Sequence, residues 1–216
     1  MKKSILLSTL SLAGLLATPV HAESTFTTPA TTGSTATARL DFSIVIPQVL
    51  FLRVGTSSGN TATDGTINSV TFTVPAANVG DSSVIAGVGG DLTAGAVTVR
   101  VYGNGGNITL NSSTTGLLTN ATGETIPWTQ INVTGAALTT GTAGFTNAAI
   151  THPAFSAATG AGPNAGTPTT LTATNRVVRV EGKWTYTYLN TTVPAAGTYG
   201  GINTRNSRIT YTATQL

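Results

Sequence analysis

From Thr35 to Ile46 the chain alternates with the period of a strand. Ala36, Ala38, Leu40, Phe42, Ile44 and Ile46 are apolar, while Thr35, Thr37, Arg39, Asp41 and Ser43 between them are polar. In an extended chain successive side chains face opposite ways, so the run predicts a strand with one apolar face. Pro47 stops it, because proline has no N–H for a ladder. The same period returns at Val178–Tyr188. There Val178, Val180, Trp184, Tyr186 and Tyr188 share one face, and Arg179, Glu181, Lys183, Thr185 and Thr187 share the other. That predicts an antiparallel strand with one buried and one wet face, with Gly182 marking a bulge.

Shorter runs fill the interval, separated by Gly, Asn, Ser and Pro clusters. Gln48–Val54 is dense in Val and Leu. Val70, Phe72 and Val74 alternate with Thr up to Pro75. Val97, Val99 and Val101 alternate with Thr98, Arg100 and Tyr102, and the Gly103–Gly106 turn leads to Ile108 and Leu110. Ile126–Val133 carries Trp128 and Ile131, and Arg208–Leu216 alternates Ile209, Tyr211 and Ala213 with threonines. Residues 135–175 are rich in Ala, Gly, Thr and Pro, and read as loops with one or two weak strands. No helical period of useful length appears beyond the first 22 residues. The expectation is an all-β, immunoglobulin-like β-sandwich, more than one third strand, with Phe72, Val99, Val101, Trp184 and Tyr186 in its core.

Residues 1–22 read as a signal peptide. Lys2 and Lys3 precede a short apolar stretch, and Val20-His21-Ala22 has the small-x-small pattern of a cleavage site. Residues 23–47 then form a polar leader and the alternating strand, and residues 48–216 form the domain. The formal charge of +3 rests on ten basic and seven acidic residues, and removal of Lys2 and Lys3 leaves eight against seven. No basic patch predicts a nucleic-acid partner. Charged residues make up 8% of the chain, against roughly 25% in typical globular proteins. A Thr-, Ser-, Asn- and Gly-rich surface with little charge suits self-assembly. Without cysteine, disulfides contribute nothing, and stability must come from a core.

The residues offer no catalytic set, cofactor motif or metal set. His152 is the only histidine after the signal and reads as a surface residue. Asp81, Asp91 and Glu124 are scattered among turns, not paired as glycoside hydrolysis requires. The glycines at 87–90 and 103–106 open no helix and so do not form a phosphate loop. A chain of this kind reads as a non-enzyme with no cofactor.

The order of parts resembles a subunit of the chaperone–usher fimbriae, most closely the cysteine-free class that includes the colonisation-factor-like pilins. The resemblance rests on the strand at Thr35–Ile46 closed by Pro47, the first domain strand at Gln48–Val54, and the C-terminal Gly197–Gly201 turn with its Ile209–Tyr211 strand. It implies an incomplete pilin-type sandwich whose missing strand is supplied by the next subunit. Ala36, Ala38, Leu40, Phe42, Ile44 and Ile46 would then be the donor face, and Ile209, Tyr211 and Leu216 would lie where a periplasmic chaperone docks. Implied partners are copies of the chain, that chaperone, an outer-membrane usher and a host or surface receptor. Implied location is the cell surface, in a fimbrium serving adhesion and biofilm. The alternative reading is a secreted monomeric β-sandwich, a binding or matrix/surface-layer protein whose N-terminal strand closes its own sheet.

Overall fold

The computed structural model describes residues 23–28, 31–158 and 164–216. The signal peptide read at 1–22 lies outside the described residues. The chain divides into two compact units, Met1–Ile46 and Pro47–Leu216.

In the first unit the leader folds back on the start of the alternating run. The Thr31–Ser34 turn closes with a backbone bond of 2.9 Å, and Gly33 supplies the left-handed φ of 93° that such a turn favours in glycine. Thr25 and Thr27 hydroxyls donate to the carbonyls of Thr37 and Thr35 at 2.8 and 3.3 Å. The Arg39 guanidinium meets both carboxylate oxygens of Glu23 at 2.6 and 2.8 Å. Beyond it, the expected strand is not formed: residues 35–46 carry no ladder, and their side chains are exposed, Phe42 by 85% and Ile44 by 83%. Alternation specifies which face is apolar. A ladder needs a second backbone alongside as well.

The second unit is all-β. Its strands are β1 (Leu50–Val54), β2 (Val70–Thr71), β3 (Ile85–Ala86), β4 (Val88–Gly89), β5 (Ala96–Gly103), β6 (Ile108–Thr114), β7 (Leu118–Thr119) and β8 (Thr125–Ile126). There follow β9 (Ile131–Ala136), β10 (Thr146–Asn147), β11 (Asn164–Ala165), β12 (Thr169–Leu171), β13 (Val178–Tyr188) and β14 (Ile209–Gln215). The only helical turns among the described residues are two of 3-10 type, Ala76–Asn78 and Trp128–Gln130.

The larger sheet is built around β13. One edge of β13 takes β5, which pairs in turn with β1, and β3 extends that side. Its other edge takes β9 and, in parallel, β10. The second sheet is built around β6, with β14 antiparallel along one edge and β11 and β12 along the other. Two small ladders, β2–β4 and β7–β8, complete the set. Val97, Val99, Val101, Val178, Trp184, Tyr186 and Tyr188 from the first sheet pack with Ile108 and Leu110 from the second. On the opposite face of the second sheet, Thr210, Thr212 and Thr214 stand directly across from Ser113, Asn111 and Thr109.

Four expectations need correction. Ile126–Val133 is not one strand, because Pro127 cannot donate to a ladder and Trp128 turns inward to give its indole N–H to the Gly116 carbonyl at 2.7 Å. The 70–74 run pairs only at Val70–Thr71, and Phe72 is half-buried, packing at its edge 6.3 Å from the Tyr188 ring. Gly182 marks no bulge, since the β5–β13 register runs through it unbroken. A Cβ there would sit 2.3 Å from the Ala148 carbonyl oxygen and 2.8 Å from that of Ala136, so the glycine admits a close backbone crossing. Strands also fall short of one third of the described residues after Ala22, because several are only two residues long.

Candidate functional site

Two edges of the second unit stand out. Among the described residues β1 pairs only with β5, and β14 only with β6. Leu50, Leu52 and Val54 lie opposite Gly103, Val101 and Val99, on the core face of their sheet. Leu50 is still 44% exposed, and Leu52 and Val54 are only half-buried. On β14 the inward Ile209, Tyr211 and Ala213 are likewise half-buried, although Ile108 and Leu110 beside them are covered. Incompletely covered inward positions thus include the last strands β1 and β14, although Val133 on β9, Leu171 on β12 and Val180 on β13 are half-buried too. The two strands are tied at one end, where the side-chain amides of Gln48 and Gln215 meet at 2.9 Å. Asn104 accepts the Val49 N–H at 2.8 Å and donates to the Pro47 carbonyl at 2.8 Å, while the Leu216 N–H reaches the Asn107 carbonyl at 2.8 Å. An unpaired strand edge beside half-covered apolar side chains is a template for strand addition.

The residues singled out by sequence separate as follows. Ile209 and Tyr211 lie on β14 and face inward, whereas the Leu216 side chain is 69% exposed. Ala36, Ala38, Leu40, Phe42, Ile44 and Ile46 belong to the first unit and are exposed.

His152 is not the surface residue the sequence suggests. Its ring lies 4.6 Å from Trp184, 4.7 Å from Phe155 and 5.5 Å from Tyr211, edge-on to each. Its Nε2 and the Tyr211 hydroxyl are 2.8 Å apart, and that hydroxyl is 2.9 Å from the one on Tyr186. Phe155 lies three residues on, but Trp184, Tyr186 and Tyr211 come from β13 and β14, so the local sequence does not announce the cluster. Burial lowers the His152 pKa to about 4, and it raises Tyr186 to about 12 and Tyr211 well above its ordinary value. The unfolded chain therefore binds a proton at His152 that the folded one refuses. Stability should be full above about pH 6.5 and fall by about 2–3 kcal/mol on the way down to pH 4.5. Thermal melts across that window check this. A His152→Gln protein retaining the same pH slope would place the effect elsewhere.

The expected wet face of β13 is not wet at Glu181, which is 0% exposed. The loop around Thr142 and Phe145 covers it. Arg100, across the ladder on β5, meets its carboxylate at 2.7 and 2.9 Å and also reaches the Asn60 carbonyl at 3.0 Å. Burial pushes the Glu181 pKa up, but the Thr142 backbone N–H and the Arg100 guanidinium outweigh it and hold the carboxylate below its usual range. The Phe145 ring lies between two guanidiniums, Arg100 at 4.6 Å and Arg179 at 4.8 Å. Arg53, beside Arg100 on β1, has its own carboxylate in Asp91 at 3.3 Å. Alternation in the sequence shows that these charges share a face. It cannot show that a loop from 40 residues away closes over them.

Among the described residues no group of three or more His, Cys, Asp or Glu converges on a metal position, and no helix is long and apolar enough to cross a membrane. No protein-family model, no curated protein and no solved structure matches this chain.

Proposed function

We propose that the chain is a structural subunit of an extracellular fibre, joined by insertion of residues 35–46 of one copy into the Pro47–Leu216 unit of the next. The observation that carries this reading is the pair of half-covered edges on β1 and β14, in a protein that also exposes an alternating apolar run with no ladder of its own. The strand order supports it. The series β1-β5-β13-β9 follows the A-B-E-D order of an immunoglobulin-type sandwich, and β6–β14 follows its C–F pair. Among the described residues no strand pairs with β14 at the place of a seventh strand.

Insertion there would give main-chain bonds along the strand and bury Leu40, Phe42, Ile44 and Ile46. At about 1.5–3 kcal/mol per side chain the joint gains on the order of 6–12 kcal/mol before entropy costs. An open apolar edge is also an aggregation hazard. This fits the need for a periplasmic chaperone on β14, around Ile209 and Tyr211, and for an outer-membrane usher that exchanges it for the next copy. Location at the cell surface follows from the same reading. Electron microscopy of the purified protein, over a range of concentrations, tests it. Linear filaments are expected. Monomers at every concentration would favour a secreted sandwich that closes its own sheet.

A further inference from the structure

A cleft of about 530 Å³ opens on the outer side of the larger sheet, between the turn at Leu92 and Thr93 and the loop at Leu138–Thr140. Ala96, Lys183 and Thr185 of the sheet line it as well. We propose that this cleft binds one carboxylate-bearing sugar residue, with Lys183 as the counter-charge. The proposal goes beyond the assembly reading and does not depend on it.

Three observations carry it. The first is that Lys183 is half-buried yet makes no ion pair among the described residues. The carboxylates on this side of the sheet are already committed. Asp91 faces Arg53 and accepts the Thr98 N–H at 2.8 Å, and Glu181 is held by Arg100 and Thr142. A partly desolvated cation without a partner favours an anion from outside. The second is the chemistry of the walls. Thr93, Thr139 and Thr140 offer hydroxyls, and Leu92 and Leu138 offer apolar surface, which together suit a ring with hydroxyl and C–H faces. The volume falls within the usual range for small-molecule sites, roughly 300–1,000 Å³. The third is backbone strain in the wall: Thr93 and Ala94 adopt φ of 62° and 46°, a region L residues rarely occupy and a β-branched one least of all. A single ammonium balances a single carboxylate, and Leu92 and Leu138 suit the C–H face of a ring, so a sugar acid fits better than a phosphate.

The test is titration of the mature chain, followed by amide chemical shifts, with glucuronate and N-acetylneuraminate as probes. Glucose and inorganic phosphate serve as controls. Saturable shifts at Thr139, Thr140 and Lys183 with at least one sugar acid are expected, with affinity reduced tenfold or more in Lys183→Met and within about threefold in Lys183→Arg. A melt of each variant shows that the fold is kept. Thr140→Val, which removes a hydroxyl and leaves the cation, should weaken the sugar acid several-fold. Neither sugar acid binding at these residues would overturn the proposal. Equal binding of glucose or of phosphate, or binding untouched by Lys183→Met, would overturn it as well.

Discussion

Phe42→Arg is expected to yield a folded protein that forms no filaments. Phe42 is among the most exposed apolar side chains of the chain, so replacing it removes nothing from the core of the Pro47–Leu216 unit. Insertion into a neighbouring copy would instead carry an unpaired guanidinium into an apolar groove. That costs several kcal/mol, a large part of what the joint gains. Leu40→Asp should behave alike. Asp41→Ser changes the other face of the same segment and should assemble nearly normally. Size-exclusion chromatography with a thermal melt separates the readings. A cooperative melt from a monomeric Phe42→Arg protein supports the intermolecular joint. An unfolded or aggregated chain means that the segment closes its own sheet.

Glu181→Ala should be among the most damaging single changes to the fold itself. It leaves Arg100, 3% exposed, with a buried charge and no carboxylate. Removing one member of a buried pair costs about 3–5 kcal/mol. For a unit of this size that corresponds to a Tm lower by roughly 6–20 °C. The Phe145 loop should open as well, because Thr142 loses its acceptor. The double variant Arg100→Met/Glu181→Leu should recover much of the loss, since it leaves no orphaned charge. Urea melts of the three proteins decide the matter, and a loss under about 1 kcal/mol in Glu181→Ala would show that the pair is not holding the loop.

The strands that could be read from the sequence were those whose alternation is long and whose partners are hydrophobic. Val178–Tyr188, Val97–Val101 and Ile209–Ala213 fall in β13, β5 and β14 with the apolar faces expected of them, although Thr98, Arg100 and Glu181 on the opposite faces are buried as well. Periodicity fails where the burying agent is distant in sequence. Nothing near Glu181 says that residues 138–147 return over it, and nothing near His152 names Trp184 and Tyr211 as its neighbours. It also fails where a backbone group decides the outcome, as Pro127 does between β8 and β9. Of the candidate site, the sequence indicates the apolar faces of 35–46 and of β14. It does not indicate that β1 and β14 stand at open edges, because edge position depends on the whole strand order. The Lys183 cleft was not legible at all, since two loops far apart in sequence form its walls.

The threonine-lined face of the second sheet has a consequence for how the molecule responds to its medium. Thr109, Asn111, Ser113, Thr210, Thr212 and Thr214 include no group that gains or loses a proton between about pH 3 and 9. Ionic strength has no purchase on it either: the Debye length shrinks to about 3 Å in molar salt, but screening acts only on charges. Any surface packed against this face is held by hydroxyl hydrogen bonds and close fit. Such contacts should persist from dilute fresh water to brine, where a charge-paired surface would loosen.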